Sequence, residues 1–175
     1  MSTEQGVRAP DRWIAVLRMV VGAWFAKGVI TKLGVTLAFG FLPVPGASER
    51  WAGTMPKLLA KYAAENPFAV YKGYLLDTVI PNAALYANLT ALGEACVGIS
   101  LLAGLLTPLG AVAGFALTLI YGFAVQHMSS GQLGFHVMLG AMMIAFFFSR
   151  SGRVWGADAW LRARWSGSSL VRWLT

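Results

Sequence analysis

The chain has 175 residues, 57% of them hydrophobic and 12% charged, with a formal net charge of +7. A soluble domain carries about 25% charged residues, so the composition excludes an ordinary soluble domain and indicates one small integral membrane domain. The basic residues flank apolar runs and do not cover one face, which excludes nucleic acid as a partner and assigns the charge to topology and anionic-lipid contact.

Residues 1–11 form a short polar tail. No small-residue cleavage site follows a clean apolar core, so the first span serves as the insertion signal itself. That span covers about residues 12–33 and carries Arg18, Lys27 and Lys32. Arg18 and Lys32 lie close enough to its ends to snorkel. Lys27 lies deeper, about 21 Å along the axis at 1.5 Å per residue. Gly22 and Ala26 give a small-residue face for close helix packing. Residues 34–42 are apolar but too short to span, and Pro43, Pro45 and Gly46 end them. They read as an extension of a tilted first helix or as an interfacial segment.

The long loop, residues 47–80, contains a helix pattern. Thr54 is placed to cap it, with Pro56 in its first turn. Met55, Leu58, Leu59 and Tyr62 fall on one face, and Lys57 and Lys61 on the other. This predicts an amphipathic helix on the membrane surface. Asn66-Pro67 stops it, and a second short helix is expected from Phe68 to Leu76. Pro81 admits the second span, residues 83–106, whose one charge is Glu94. Thr107-Pro108 turns into the third span, residues 109–126, with Gly110 and Gly114 as a close-packing pair. His127 and His136 flank a short polar turn, and the fourth span covers about residues 133–149. In the tail, residues 150–175, arginines alternate with tryptophans, the pattern of an interfacial helix with aromatic anchors. The predicted fold is an all-α, integral membrane four-helix bundle with an interfacial amphipathic helix in the first outer loop and a C-terminal interfacial helix. Basic residues gather at the tail end, so both termini are expected in the cytoplasm and the long loop outside.

Four stretches resemble the DoxX/DoxD-like membrane protein family. They are "LRMVVGAWFAKGVITKL" in the first span, "NPFAVYKGYLLDTVIPN" before the second, "GISLLAGLLTPLGAVAG" across the hairpin turn, and "GRVWGADAWL" after the fourth. Their order and spacing carry the resemblance over nearly the whole chain. The resemblance implies a bacterial inner-membrane protein linked to respiratory redox chemistry. In the DoxD branch it implies the membrane subunit of a thiosulfate:quinone oxidoreductase. Quinone is then the expected cofactor, and the lipid bilayer and other membrane subunits are the expected partners.

The site candidates rest on the residues themselves. A carboxylate at mid-membrane costs about 2.5–3.5 kcal/mol and must face a partner or a polar cavity. Glu94 therefore reads as a proton relay or quinol acceptor, or as a structural partner of Lys27 or Arg18; Glu94 and Lys27 are the catalytic candidates. His127 and His136 are the candidates for quinone contact, against the plainer reading of neutral imidazoles bonded at helix ends. Two histidines alone make a poor metal site, so no metal is expected. Lys57, Lys61 and Lys72 read as headgroup contacts, or as a steering patch for a small oxyanion. Cys96 is the one cysteine, so thiol redox chemistry must come from a partner or substrate. The leading expectation is a subunit of a quinone-linked redox complex. The rival is a non-catalytic accessory subunit packed against a larger respiratory or photosynthetic assembly.

Overall fold

The computed structural model describes residues 9–38 and 41–175, with the side chains of residues 9 and 36–38 left aside. Most of the polar N-terminal tail lies outside the described residues. Four helices are long and apolar enough to cross a membrane. They are α1 (Ala9–Lys32), α4 (Ala83–Ala103), α5 (Thr107–Val125) and α6 (Ser130–Ser149). They run alternately up and down. One end of the bundle carries residues 33–82 and is called the loop end; the other carries residues 150–175 and is called the tail end. The chain is a multi-pass membrane protein with the four-helix architecture its sequence predicts.

Glycines set the helix contacts. A Cβ built at Gly22 would lie 2.6 Å from the Leu102 backbone nitrogen, and one at Gly98 would lie 2.6 Å from that of Ala26. The backbones of α1 and α4 therefore touch. Between α5 and α6, Gly114 faces the flexible side chain of Met143 at 2.8 Å. Around these contacts Val21, Phe25, Val97, Leu101, Met143 and Phe146 form a filled core cluster.

The loop end departs from expectation in two places. The apolar stretch after α1 is neither a helical extension nor a flat interfacial segment. It forms a hairpin, β1 (Leu33–Ala38) antiparallel to β2 (Leu42–Ala47), with Leu33 opposite Ala47. Pro43 and Pro45 cannot continue a helix, and at alternate positions of an edge strand their missing N–H groups cost no ladder bond. The following helix, α2 (Glu49–Glu65), starts earlier than Thr54. Ser48 caps it by accepting from the Trp51 N–H at 3.3 Å, and Pro56 lies inside. Thr54 instead donates to the Arg50 carbonyl at 2.7 Å. The predicted apolar face is present, but it covers the mouth of the bundle: Met55 is buried against Ala87 and Ala91 of α4. The short helix α3 (Ala69–Tyr74) and a π-turn over Leu75–Val79 then lead into α4.

At the tail end, Arg18 does not snorkel. It is fully buried, and its Nη2 donates to the carbonyls of Val154 and Trp155 at 3.3 and 3.4 Å. The predicted single tail helix is two, α7 (Ala157–Arg164) and α8 (Ser169–Leu174). Asp158 in the first turn of α7 is fully buried. Its two oxygens accept from the backbone N–H groups of Leu106 and Thr107 at 2.6 and 3.0 Å, capping α5 from the tail. Gly104 and Leu106 adopt left-handed backbone at this tight turn, with φ of 62° and 49°. Only glycine does so without strain.

The two glycine classes should differ on substitution. Gly98→Ala pushes on backbone and is expected to lower the melting temperature in detergent clearly; Gly114→Ala pushes on a movable methionine tip and is expected to cost less. Equal losses, or the reverse order, would contradict the backbone contact.

Candidate functional site

Glu94 is buried on the face of α4 that meets α1. Its place there depends on Gly28: a Cβ at that position would collide with Glu94 Oε2. Lys32 lies one helical turn beyond Gly28, on the same face of α1. Its Nζ stands 2.5 Å from Glu94 Oε1. Tyr121 of α5 donates its hydroxyl to the same oxygen at 2.7 Å. The ammonium also lies 4.4 Å from the Trp51 ring centre and 5.4 Å from that of Tyr121. The carboxylate thus has two donors on one oxygen, and the cation has one anion and two aromatic faces.

This cluster borders a cavity of about 520 Å³ in the loop half of the bundle. Its walls are chiefly apolar, and its volume falls in the range of about 300–1,000 Å³ typical of small-molecule sites. The chain has five tyrosines and all five line this cavity, which marks it as an amphipathic chamber rather than a packing fault. Tyr71 donates to the Ile120 carbonyl at 2.7 Å, and the hydroxyls of Tyr74 and Tyr86 lie 3.2 Å apart. Burial, with Tyr74 beside it, pushes the Tyr71 hydroxyl up to about 12. The bond to Tyr86, then burial, does the same for Tyr74. Both remain protonated at neutral pH.

The sequence candidates separate into three cases. Glu94 and His136 line the cavity. The Nδ1 of His136 lies 2.7 Å from the Gln132 carbonyl, which only accepts, so Nδ1 carries the proton and a neutral ring keeps Nε2 as an acceptor. Lys27 also lines the cavity but is exposed, with its Nζ 5.1 Å over the Trp24 ring. It does not pair with Glu94. The expected Lys27–Glu94 contact is replaced by Lys32–Glu94, because the face of α1 that meets α4 passes through positions 28 and 32 and leaves position 27 about 100° away. His127 does not line the cavity; both its ring nitrogens are buried without a partner. Arg18 belongs to the tail end. Lys57 and Lys61 stay exposed on the outer face of α2. Among the described residues, no group of three or more His, Cys, Asp and Glu side chains is placed to hold a metal ion.

Sequence reasoning passed over Lys32 and Tyr121. Lys32 was read as a snorkelling end residue. Tyr121 carries the one phenol of an otherwise apolar stretch of α5, and a buried hydroxyl in such a span calls for a partner.

Fold and site together define a four-span membrane protein with a roofed, aromatic cavity around a buried carboxylate. The chain matches the DoxD family, described as "TQO small subunit DoxD", over residues 13–174, and it belongs to that family. Neither the curated proteins nor the solved structures hold a match to it.

Removing one member of a buried pair typically costs about 3–5 kcal/mol. Lys32→Met is expected to approach this, because the carboxylate it strands is only 9% exposed against 20% for the ammonium. Glu94→Gln should cost less, and the double variant should recover much of the loss. Lys27→Met should change stability by less than about 0.5 kcal/mol. Coupling of Glu94 to Lys27 instead of Lys32 in a double-mutant cycle would contradict the geometry.

Proposed function

We propose that this chain is the DoxD-type membrane subunit of a quinone-linked redox complex in a bacterial inner membrane, and that the cavity holds the quinone head group. The observation that carries the reading is the double donation onto Glu94 Oε1, by Lys32 and Tyr121, at the wall of an aromatic, ligand-sized cavity. A quinone, when bound, supplies two-electron, two-proton chemistry. The residues present suit such a head group. Tyr121 gives its one proton to Glu94 Oε1, so its hydroxyl would donate to a ring oxygen only by turning from the carboxylate, and the His136 Nε2 is free to accept from a ring hydroxyl. Glu94 is the group that takes or gives a proton through Tyr121. Lys32 holds it in place and balances its charge. Trp24 and Phe135 supply flat apolar surface for a ring.

The electrons must come from outside the chain, because its single cysteine cannot form an internal redox pair. Thiosulfate or a related sulfur compound is the proposed source, oxidised with partner subunits. Basic residues on the tail side, Arg150, Arg153, Arg162, Arg164 and Arg172, support a cytoplasmic side for both termini. The roofed cavity then opens in the outer half of the membrane.

Two measurements test this. Tyr121→Phe keeps the ring and removes one hydroxyl. It is expected to fold normally and to lower quinone reduction by native membranes about 10²-fold, the lower end of what a positioned proton donor contributes. Unchanged turnover, with no quinone extractable from the purified protein, would favour the accessory-subunit reading. For topology, a reporter fused after Thr175 should be active only in the cytoplasm and one inserted at Gly53 only outside; the opposite pattern would reverse the orientation.

A further inference from the structure

The cavity is roofed at the loop end. Its roof is pinned to α4 by the Ala47 N–H donating to Asn88 Oδ1 at 2.8 Å and by Trp51 Nε1 donating to Thr90 Oγ1 at 3.1 Å. It is pinned to α5 by Asn66 Nδ2 donating to the Phe123 carbonyl at 2.9 Å and by Tyr71 donating to that of Ile120. Beside the cavity the α1–α4 seam is closed where Gly28 receives Glu94, and the α5–α6 seam where Gly122 receives His136.

The α1–α6 seam is different. It is the loosest of the four around the bundle. At cavity level it is spanned by Trp24 and Phe135, with ring centres 5.5 Å apart and planes tilted by 59°. Both line the cavity, yet the indole is 55% and the phenyl 37% exposed on the bundle surface. Each ring therefore faces the cavity on one side and lipid on the other. At their level the seam is held by this ring contact, without the backbone-to-backbone closeness of α1 and α4. Trp24 lies eight residues from the loop end of α1, about 12 Å along its axis, and Phe135 five residues from that of α6, about 8 Å. Both depths lie inside the hydrocarbon layer, whose half-thickness is about 15 Å. Lys27 stands at the same edge, exposed, with its ammonium over the Trp24 ring.

We propose that the cavity is filled from within the bilayer through the α1–α6 seam, with Trp24 and Phe135 as the side chains that part to admit a tailed, lipid-dissolved ligand. This rests on the quinone reading above and adds the route and the ligand's form: a ring head group inside, a hydrocarbon tail lying in the seam, and Lys27 as the polar step at the threshold. A water-soluble ligand entering from the aqueous side has no use for such a seam.

The test uses the full chain in lipid nanodiscs, with Cys96→Ala to remove the exposed native thiol. Trp24→Cys and Phe135→Cys are introduced together and bridged by a short bis(methanethiosulfonate) reagent that reductant removes. The probes are a decyl-tailed benzoquinone and the same head group without a tail. Bridging is expected to slow association of the tailed probe by about tenfold or more, with recovery on reduction, while the tailless probe changes far less. Trp24→Ala, a milder variant, should speed association of the tailed probe. Tailed binding that ignores both the bridge and Trp24→Ala overturns the seam route while leaving quinone binding intact. Equal slowing of both probes also overturns it, since the bridge then only distorts the site. If neither probe binds the Cys96→Ala chain with Trp24 and Phe135 in place, the quinone reading and the route fall together.

Discussion

A carboxylate inside an apolar helix needs a partner, and much of this structure follows from how Glu94 finds one. Lipid offers it nothing, so a cation must come from another span at the same depth. Lys32 is that cation, and it is the last residue of α1. Bringing it to Glu94 requires α1 to lie against α4, and only glycine at position 28 leaves room for the carboxylate between them. The chain must then turn at once. The β-hairpin starts at Leu33 and returns to Ala47, whose N–H bonds to α4. Trp51 follows and lies over the Lys32 ammonium, so the roof is built on the ion pair it covers.

The tail end repeats the principle with other groups. Arg18 is buried among tail carbonyls, and Asp158 caps the turn between α4 and α5. Spans in lipid gain no hydrophobic drive from contact with one another, so packing and polar contacts hold them together. Polar clamps at both ends and glycine contacts along the middle fit that constraint. The tail is therefore part of the bundle's fastening as well as an aromatic surface, with Trp160, Trp165 and Trp173 still exposed.

The spans were legible in the sequence because apolar stretches of 17 or more residues with few charges have few other uses. The amphipathic face of α2 was legible for a similar reason, since its spacing is helical. What it would cover was not: an apolar stripe meets a lipid surface and a bundle mouth with the same side chains. The hairpin over residues 33–47 was hidden because its apolar composition suits a helix end equally well, and only Pro43 and Pro45 argued against one. Glu94 stood out as the sole charge in its span. Its partner did not, because the phase of α1 against α4 is fixed by glycine contacts, and a turn of about 100° per residue separates a correct lysine from its neighbours. Asp158 was invisible for another reason: its partners lie 51 and 52 residues away.

The helices of the loop half bury small residues where those of the tail half bury large ones. Gly28, Ala87, Ala91, Gly122 and Ala124 are buried there, against Val21, Leu101, Met143 and Phe146 toward the tail end. The helices do not close over the space, because α2 and α3 are wedged across their ends by bonds to both α4 and α5. A volume of about 520 Å³ lined by every tyrosine of the chain, with the α4 carboxylate at its wall, suits the occupant proposed for it. The polar groups lie at the wall and the loosest seam faces the bilayer. The occupant those constraints favour has a ring with hydrogen-bonding oxygens and a body soluble in lipid.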